Sequence, residues 1–220
     1  MEKKEETKIS KPGIRESYCY FDCEFTGLHR NTELISIGLV DSFGRTFYAE
    51  FTDYPEDQVT PWIKDNVISN LYNLEKDVVD CDHWRIRGDK EHIAKNLRNW
   101  LNKYYVCKSQ PIQFVSDVCH YDFVLLIDLL LNGKDNASAI DLPDFISPVC
   151  HDISQDMASL LNINEISKPP IFDYPDLAAF ELSREEFCEA IPNYNITGEK
   201  HNSLYDALQI KAIHQYIWFG

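Results

Sequence analysis

An apolar strand that carries two carboxylates on one face is the hardest constraint in this chain. Tyr18 to Phe25, within YCYFDCEFTGL, is built from aromatic and apolar residues and reads as a buried β-strand. Strand side chains alternate faces, so Asp22 and Glu24 point the same way, a few ångströms apart. On a buried face such a pair repels itself and resists desolvation. A compensating positive charge is required, and a divalent cation is the most economical one. The plain alternative is a pair of solvated carboxylates at the end of a strand.

The surrounding pattern predicts an α/β domain. Leu34 to Asp41 (LISIGLVD) and Thr46 to Phe51 read as two further strands, joined by a turn at Ser42-Phe43-Gly44. Short connections make these three strands an antiparallel meander. Pro61 opens a short helix from Trp62. A longer helix runs from Lys90 to Tyr105, with Ile93, Leu97, Trp100, Leu101 and Tyr104 on one stripe. Then come a strand at Ile112 to Ser116, a helix at Tyr121 to Leu131 closed by Asn132-Gly133, and loop signals over Lys134 to Pro148. Val149 to Asp152 reads as a last short strand. Helices are expected at Ser154 to Leu161, Arg184 to Ile191 and Ser203 to Trp218, the first two separated by the Pro-rich passage SKPPIFDYP. Meander strands followed by alternating helix and strand predict a mixed sheet flanked by helices. Residues 1–16, charged with both signs and without an apolar segment, read as a disordered tail, and 17–220 as one domain.

Composition narrows the function. A net charge of −15 argues against a protein that coats long nucleic acid, because phosphate binding needs clustered Lys and Arg. It leaves room for an enzyme that grips only a short end through bound metal ions. The seven cysteines, at 19, 23, 81, 107, 119, 150 and 188, include no Cys-x-x-Cys pair. They read as reduced thiols of a cytoplasmic protein rather than zinc ligands. No apolar run reaches the roughly 18 residues of a membrane span.

More acids stand at element ends. In HNSLYDALQIKAIHQYIWFG, Asn202 caps a helix whose stripe is Asp206, Ile210, Ile213 and Ile217. An aspartate thus occupies the first position of a face otherwise made for the core, and His201 lies just ahead of it. Asp122 holds a similar place at the mouth of the apolar helix YDFVLLIDLL, in line with Leu126 and Leu129. Taken alone, Asp122 is better explained by the helix dipole than by a functional role. Asp128 sits deeper in the same helix. Oxygen ligands from Asp22, Glu24, Asp122 and Asp206 suit Mg²⁺ or Mn²⁺ rather than zinc. Two such ions would stabilise the attacking and leaving oxygens of a phosphodiester, with neutral His201 as the base for water.

The order of these motifs resembles the DEDDh class of 3′–5′ exonucleases. Asp22-Cys23-Glu24-Phe25-Thr26-Gly27-Leu28 resembles their first motif, Tyr121-Asp122 the second and His201 to Asp206 the third. The resemblance spans Tyr18 to Tyr216 and implies a ribonuclease H-like fold. LISIGLVDSFGRTFYAEF and HYDFVLL are most similar to the RNase AS type of bacterial and phage exoribonuclease. By that resemblance Asp22 bridges two metals, Glu24 and Asp206 hold the ion of the nucleophilic water, Asp122 completes the site and His201 is the general base. Phe25, Thr26, Gly27 and Leu28 line the pocket of the terminal nucleotide. The substrate so implied is the 3′ end of single-stranded RNA, cut to nucleoside 5′-monophosphates. Single-stranded DNA and a catalytically silent binding module are the alternatives.

One departure stands out. Many members of the wider class carry His-Asn ahead of the second motif's Asp, where this chain has Asp117-Val118. Asp117 reads as a loop residue in preference to an extra acid of the site. His120 reads as a capping or solvated histidine, and His29 and Arg30 as a surface turn that alternatively meets phosphate. Trp84 to Lys90 (WRIRGDK) is the most basic and aromatic local segment. It suits either stacking on single-stranded RNA or a contact in a homodimer.

Overall fold

Three strands form the expected meander. In the computed structural model, which describes residues 17–106, 110–136, 138–164 and 184–219, β1 (Tyr18–Phe25) pairs antiparallel with β2 (Leu34–Asp41), and β2 pairs antiparallel with β3 (Thr46–Phe51). The expected N-terminal tail, Cys107 and the Pro-rich passage at 167–175 lie outside the described residues. On one flank follow β4 (Val78–Val79) and β5 (His83–Gly88), the latter parallel to β3. On the other flank β6 (Gln113–Ser116) runs parallel to β1, and β7 (His151–Asp152) parallel to β6. The sheet order is β4-β5-β3-β2-β1-β6-β7. The helices are α1 (Pro61–Asn66), α2 (Lys90–Tyr105), α3 (His120–Leu130), α4 (Ile153–Asn164), α5 (Arg184–Glu189) and α6 (Ser203–Phe219).

Strand alternation sorts β1 into two faces. Cys19, Phe21 and Cys23 pack with Leu97 and Trp100 of α2 and Leu126 of α3 in the larger core. Tyr20 packs with Ala207, Ile210 and Ile213 of α6 on the opposite face. Asp22 and Glu24 share Tyr20's face, so α6 must pass over them. Each apolar residue of its stripe contributes roughly 1.5–3 kcal/mol on burial. Gly38 permits the close approach: it pairs with Asp22 across the β1–β2 ladder, and a Cβ there would stand 2.4 Å from the Leu204 backbone. Beside it Ser36 and Ser203 share a hydroxyl hydrogen bond of 3.0 Å. The start of α6, with Asp206, is therefore pressed directly onto the acidic part of β1.

Trp84 to Gly88 forms most of β5, a strand with a period of two that keeps Arg85 and Arg87 exposed. Ile86 is fully buried and Trp84 packs against the same core, under the ammonium of Lys103 at 5.7 Å. On the other face Arg85 lies over the Tyr72 ring at 5.1 Å, and Arg87 meets Glu50 at 3.4 Å. The segment stands three strands from β1, about 14 Å at ~4.8 Å per strand. Its indole is partly buried against the larger core. The high local charge masked the alternation.

Candidate active site

The site forms where β1 outruns its neighbour. Pairing with β6 covers only Tyr18 to Tyr20, so among the described residues the rest of that edge of β1 lacks a strand partner. Asp122, in the first turn of α3, fills the gap: its Oδ1 accepts the Cys23 N–H at 2.9 Å. The carboxyl ends of the strands in an open α/β sheet are where such crevices bind ligands. The sequence thus places Asp122 on a backbone donor, not merely at a helix dipole.

Asp206 arrives from the other face. Asn202 caps α6, its Oδ1 accepting from the N–H groups of Leu204 at 3.2 Å and Tyr205 at 3.3 Å. Its own amide donates to the Asn70 carbonyl at 2.8 Å and ties the helix start to the segment after α1. His201 then adopts φ 62°, a left-handed conformation uncommon outside glycine, and donates its N–H to Asp206 Oδ2 at 3.0 Å. Asp206 Oδ1 is buried and, among the described residues, meets only an ion pair, from the Arg184 guanidinium at 3.3 Å. Ligand atoms of Glu24, His201 and Asp206 all lie within 4.8 Å of one another. The His201 Nδ1 stands 3.8 Å from Glu24 Oε1.

Charge repulsion is written into the acids. Burial, then the charge of Asp206, holds Asp22 well above the ordinary carboxylate range. Burial and Asp206 push Glu24 up to about 8. Asp122 and Asp206 are each raised to about 6, mainly by burial. Burial lowers His201, followed by the charges of Lys200 and Arg184, so its imidazole is neutral at neutral pH. These four acids and the histidine are the ones the sequence singled out, brought together from three elements and one loop.

The remaining candidates fall on the walls. A cavity of about 540 Å³ is lined by Glu24, Phe25, Thr26, Gly27, Leu28, Gln58, Trp62 and His201, among others. The Thr26 hydroxyl donates to Gln58 Oε1 at 2.6 Å, and the Gly27 N–H donates to Thr32 Oγ1 at 3.1 Å. Gly27 needs to be glycine, with φ at 150°. A second cavity, about 370 Å³, adjoins Asp22, Phe25, Leu28, Asp117, Val118, Tyr121 and Asp122. Leu28, 78% exposed, stands between the two. The Phe25 ring stacks on Tyr121, centroids 5.7 Å apart. His29 lines the larger cavity and His120 the smaller, both exposed, and Arg30 is exposed on the turn. Asp128, by contrast, points away to an ion pair with Lys90.

Three residues of the site were not among those the sequence singled out for it. Trp62, half exposed, sets its indole edge-on to His201 with centroids 5.2 Å apart. Arg184, first residue of α5, places its guanidinium 3.2 Å from Asp22 Oδ1 and 3.3 Å from Asp206 Oδ1. Asp117, read as a loop residue, is drawn in by the same arginine at 3.3 Å. No spacing rule marks Arg184, since its role exists only once distant elements converge.

A mixed sheet with acids at the end of its central strand defines a class. The fold is similar to Pop2p of S. pombe, solved with Mg²⁺ and Mn²⁺ bound, at a TM-score of 0.54 and 16% identity over 90% of this chain and 81% of that one. It is similar to the RNase domain of yeast Pop2, at 0.53 and 14% over 91% and 78%. It is similar too to E. coli ExoI in a zinc-bound complex with single-stranded DNA, at 0.52 and 12% over 91% of this chain and 40% of that one. These are ribonuclease H-like folds of DEDD-type exonucleases. No curated protein sequence matches the chain. A family model does: the chain belongs to the family of the Rv2179c-like 3′–5′ exoribonuclease domain, matched over residues 17–218. It is a 3′–5′ exonuclease of the DEDD type. Among the described residues, no helix is long and apolar enough to cross a membrane.

Proposed function

We infer that this exonuclease acts on the 3′ end of single-stranded RNA and releases nucleoside 5′-monophosphates, with Mg²⁺ or Mn²⁺ held by its acids. The observation that carries the reading is the convergence of Asp22, Glu24, Asp122 and Asp206 beside a nucleotide-sized cavity, with ligand atoms of Glu24, His201 and Asp206 within 4.8 Å of one another. The donor set fits a hard divalent cation, being carboxylate oxygens with one imidazole at its edge. Asp22, Glu24, Asp122 and Asp206 are the residues that would hold two such ions. When bound, they supply positive charge to the attacking and leaving oxygens of the phosphodiester.

The chain's own groups account for the rest. His201 is neutral near pH 7 and accepts a proton from the attacking water. The water oxygen bonds to phosphorus as the bond to the 3′ oxygen of the preceding nucleotide breaks. That oxygen keeps the electron pair and takes a proton, giving a new 3′-hydroxyl end. Phe25, Thr26, Gly27 and Leu28 hold the terminal sugar and base from one side of the cavity, and Trp62 offers a ring for stacking. A single strand is required because the terminal base must enter that cavity unpaired. Free buried thiols at Cys19, Cys23 and Cys188 support a reducing, cytoplasmic setting.

The test is digestion of 5′-labelled poly(A), mixed RNA and single-stranded DNA, each with Mg²⁺ and then Mn²⁺. Stepwise shortening from the 3′ end, at least tenfold faster on RNA, is expected. Faster digestion of DNA would assign the chain to DNA. No shortening of any substrate would leave a binding module.

A further inference from the structure

Arg184 has no part in the hydrolysis just described, yet it sits at the centre of the acids. Its side chain is 15% exposed and reaches Asp22 Oδ1, Asp206 Oδ1 and Asp117 Oδ2, each within 3.3 Å. Burial disfavours its charge, but the charges of Asp22, Asp206 and Asp117 outweigh that and keep it protonated. Two of the oxygens it faces belong to residues assigned above to metal. A guanidinium and a divalent ion compete for them, because like charges a few ångströms apart repel.

Asp117 makes the arrangement two-sided. It lies outside the four acids assigned above to the metals, on the wall of the smaller cavity that Asp22 and Asp122 adjoin. Its carboxylate is buried enough to be raised in pKa, and Arg184 is the neighbouring charge that opposes the rise. Asp117 is thus a partner for Arg184 that the metal does not claim.

We propose that Arg184 is a built-in competitor of the divalent cation, holding Asp22 and Asp206 until metal displaces it onto Asp117. This rests on the metal-dependent reading above. The pair sets the metal concentration at which the site assembles and links that event to the position of α5.

Calorimetric titration of Mn²⁺ into the full chain tests the idea without measuring activity. Arg184→Gln is expected to tighten Mn²⁺ binding about tenfold or more, given that one opposite charge at this distance shifts a carboxylate by about 1–3 pH units. Asp117→Asn is expected to weaken it several-fold, because Arg184 then has no other carboxylate to move to. In the Arg184→Gln background the Asp117→Asn change should leave binding within about twofold. Unchanged or weaker binding by Arg184→Gln overturns the proposal. An equal effect of Asp117→Asn in both backgrounds overturns the role of Asp117.

Arg184→Lys, which keeps the charge without the fork, should fall between wild type and Arg184→Gln if the latter folds poorly. In wild type, Mn²⁺ should speed amide exchange across 184–189 while slowing it at 22–25 and 202–206. Protection of 184–189 by Mn²⁺ contradicts displacement. If wild type binds no Mn²⁺, the metal-dependent reading itself falls. Binding that Arg184→Gln leaves unchanged sinks only the competition.

Discussion

Two glutamates occupy the same row of the sheet and face the same side, yet they lead opposite lives. Glu24 pairs with Ser36 across β1–β2, and Ser36 pairs with Glu50 across β2–β3. Glu50 is almost fully buried and well supplied: it accepts the Tyr48 hydroxyl at 3.1 Å, the Leu74 N–H at 2.9 Å and the Arg87 guanidinium at 3.4 Å. Glu24 has His201 at 3.8 Å, beyond hydrogen-bond reach, and three acids in its vicinity. Asp41, at the far end of the same sheet, repeats the first pattern, with its Oδ1 accepting from the N–H groups of Phe43 and Arg45 at 2.9 Å. A buried acid completed by its own surroundings maintains the fold. One left short of donors is poised for something that arrives from outside.

The sharpest way to break this contrast is to neutralise each glutamate in turn. Glu24→Gln keeps the shape of a side chain whose charged form burial and the neighbouring acids already oppose, so stability should hold or rise while exonuclease activity falls about 10³-fold or more. Asp22→Ala should remove activity and Mn²⁺ binding together. Glu50→Ala strands the Tyr48 hydroxyl and the Leu74 N–H, at a cost of roughly 2–3 kcal/mol. Its melting point should drop several degrees, with activity per folded molecule unchanged. Melting curves and single-turnover digestion read both quantities. A Glu24→Gln variant that loses stability and keeps activity would reverse the two roles.

The general-base role proposed for His201 separates the acid cluster from the chemistry. His201→Ala should slow hydrolysis by about 10²–10⁴-fold while Mn²⁺ still binds, the usual span for loss of a general base. Because burial lowers the pKa of this imidazole, the wild-type rate should already be flat at neutral pH and fall only toward acid. Equal rates for wild type and variant across neutral pH would remove His201 from proton transfer.

How far this contrast could be read in advance follows from the range of the interactions. The strand Tyr18 to Phe25 and the stripe of Asp206, Ile210 and Ile213 were legible because period and burial are local properties of the pattern. The acids stood out for the same reason, as charges on faces made for the core. Glu50 sits on a strand that the sequence also marks, but its three donors come from β3 itself, β5 and the loop before it, so its satisfaction was invisible. The same holds for Arg184 and Asp117, whose pairing depends on α5 folding back over β1. The alternation of Trp84-Arg85-Ile86-Arg87 was present in the sequence and was outweighed by its charge. Gly38 was read only as part of an apolar strand, because what it makes room for lies far along the chain.

The crowded acids should also leave a signature in stability. Glu24, Asp122 and Asp206 have folded pKa values raised to about 8, 6 and 6, above their ordinary values near 4. A raised folded value means that the folded state holds protons more tightly than the unfolded chain. The corresponding stabilisation is complete below about pH 4 and is lost as pH climbs through 6 and then 8. In chelator, melting points should therefore decline between about pH 5 and 8, and Glu24→Gln should shallow that slope. Saturating Mn²⁺ should raise the alkaline end most. A slope of the opposite sign in chelator would mean that the acids are already compensated.

Asp128 supplies the smallest expected effect and the control for all the others. It shares α3 with Asp122, six residues on, yet its side chain is 56% exposed and paired with Lys90. An exposed ion pair of this kind contributes about 0–1 kcal/mol, since water and mobile ions screen it. Asp128→Asn should accordingly shift the melting point by no more than about 2–4 °C and leave both activity and Mn²⁺ binding as they were. Asp122→Asn, with its carboxylate on the Cys23 N–H inside the site, should abolish activity. A large loss from Asp128→Asn would show that the acid site extends along α3 beyond the crevice. It would also show that exposure does not separate the acids of the site from those of the fold.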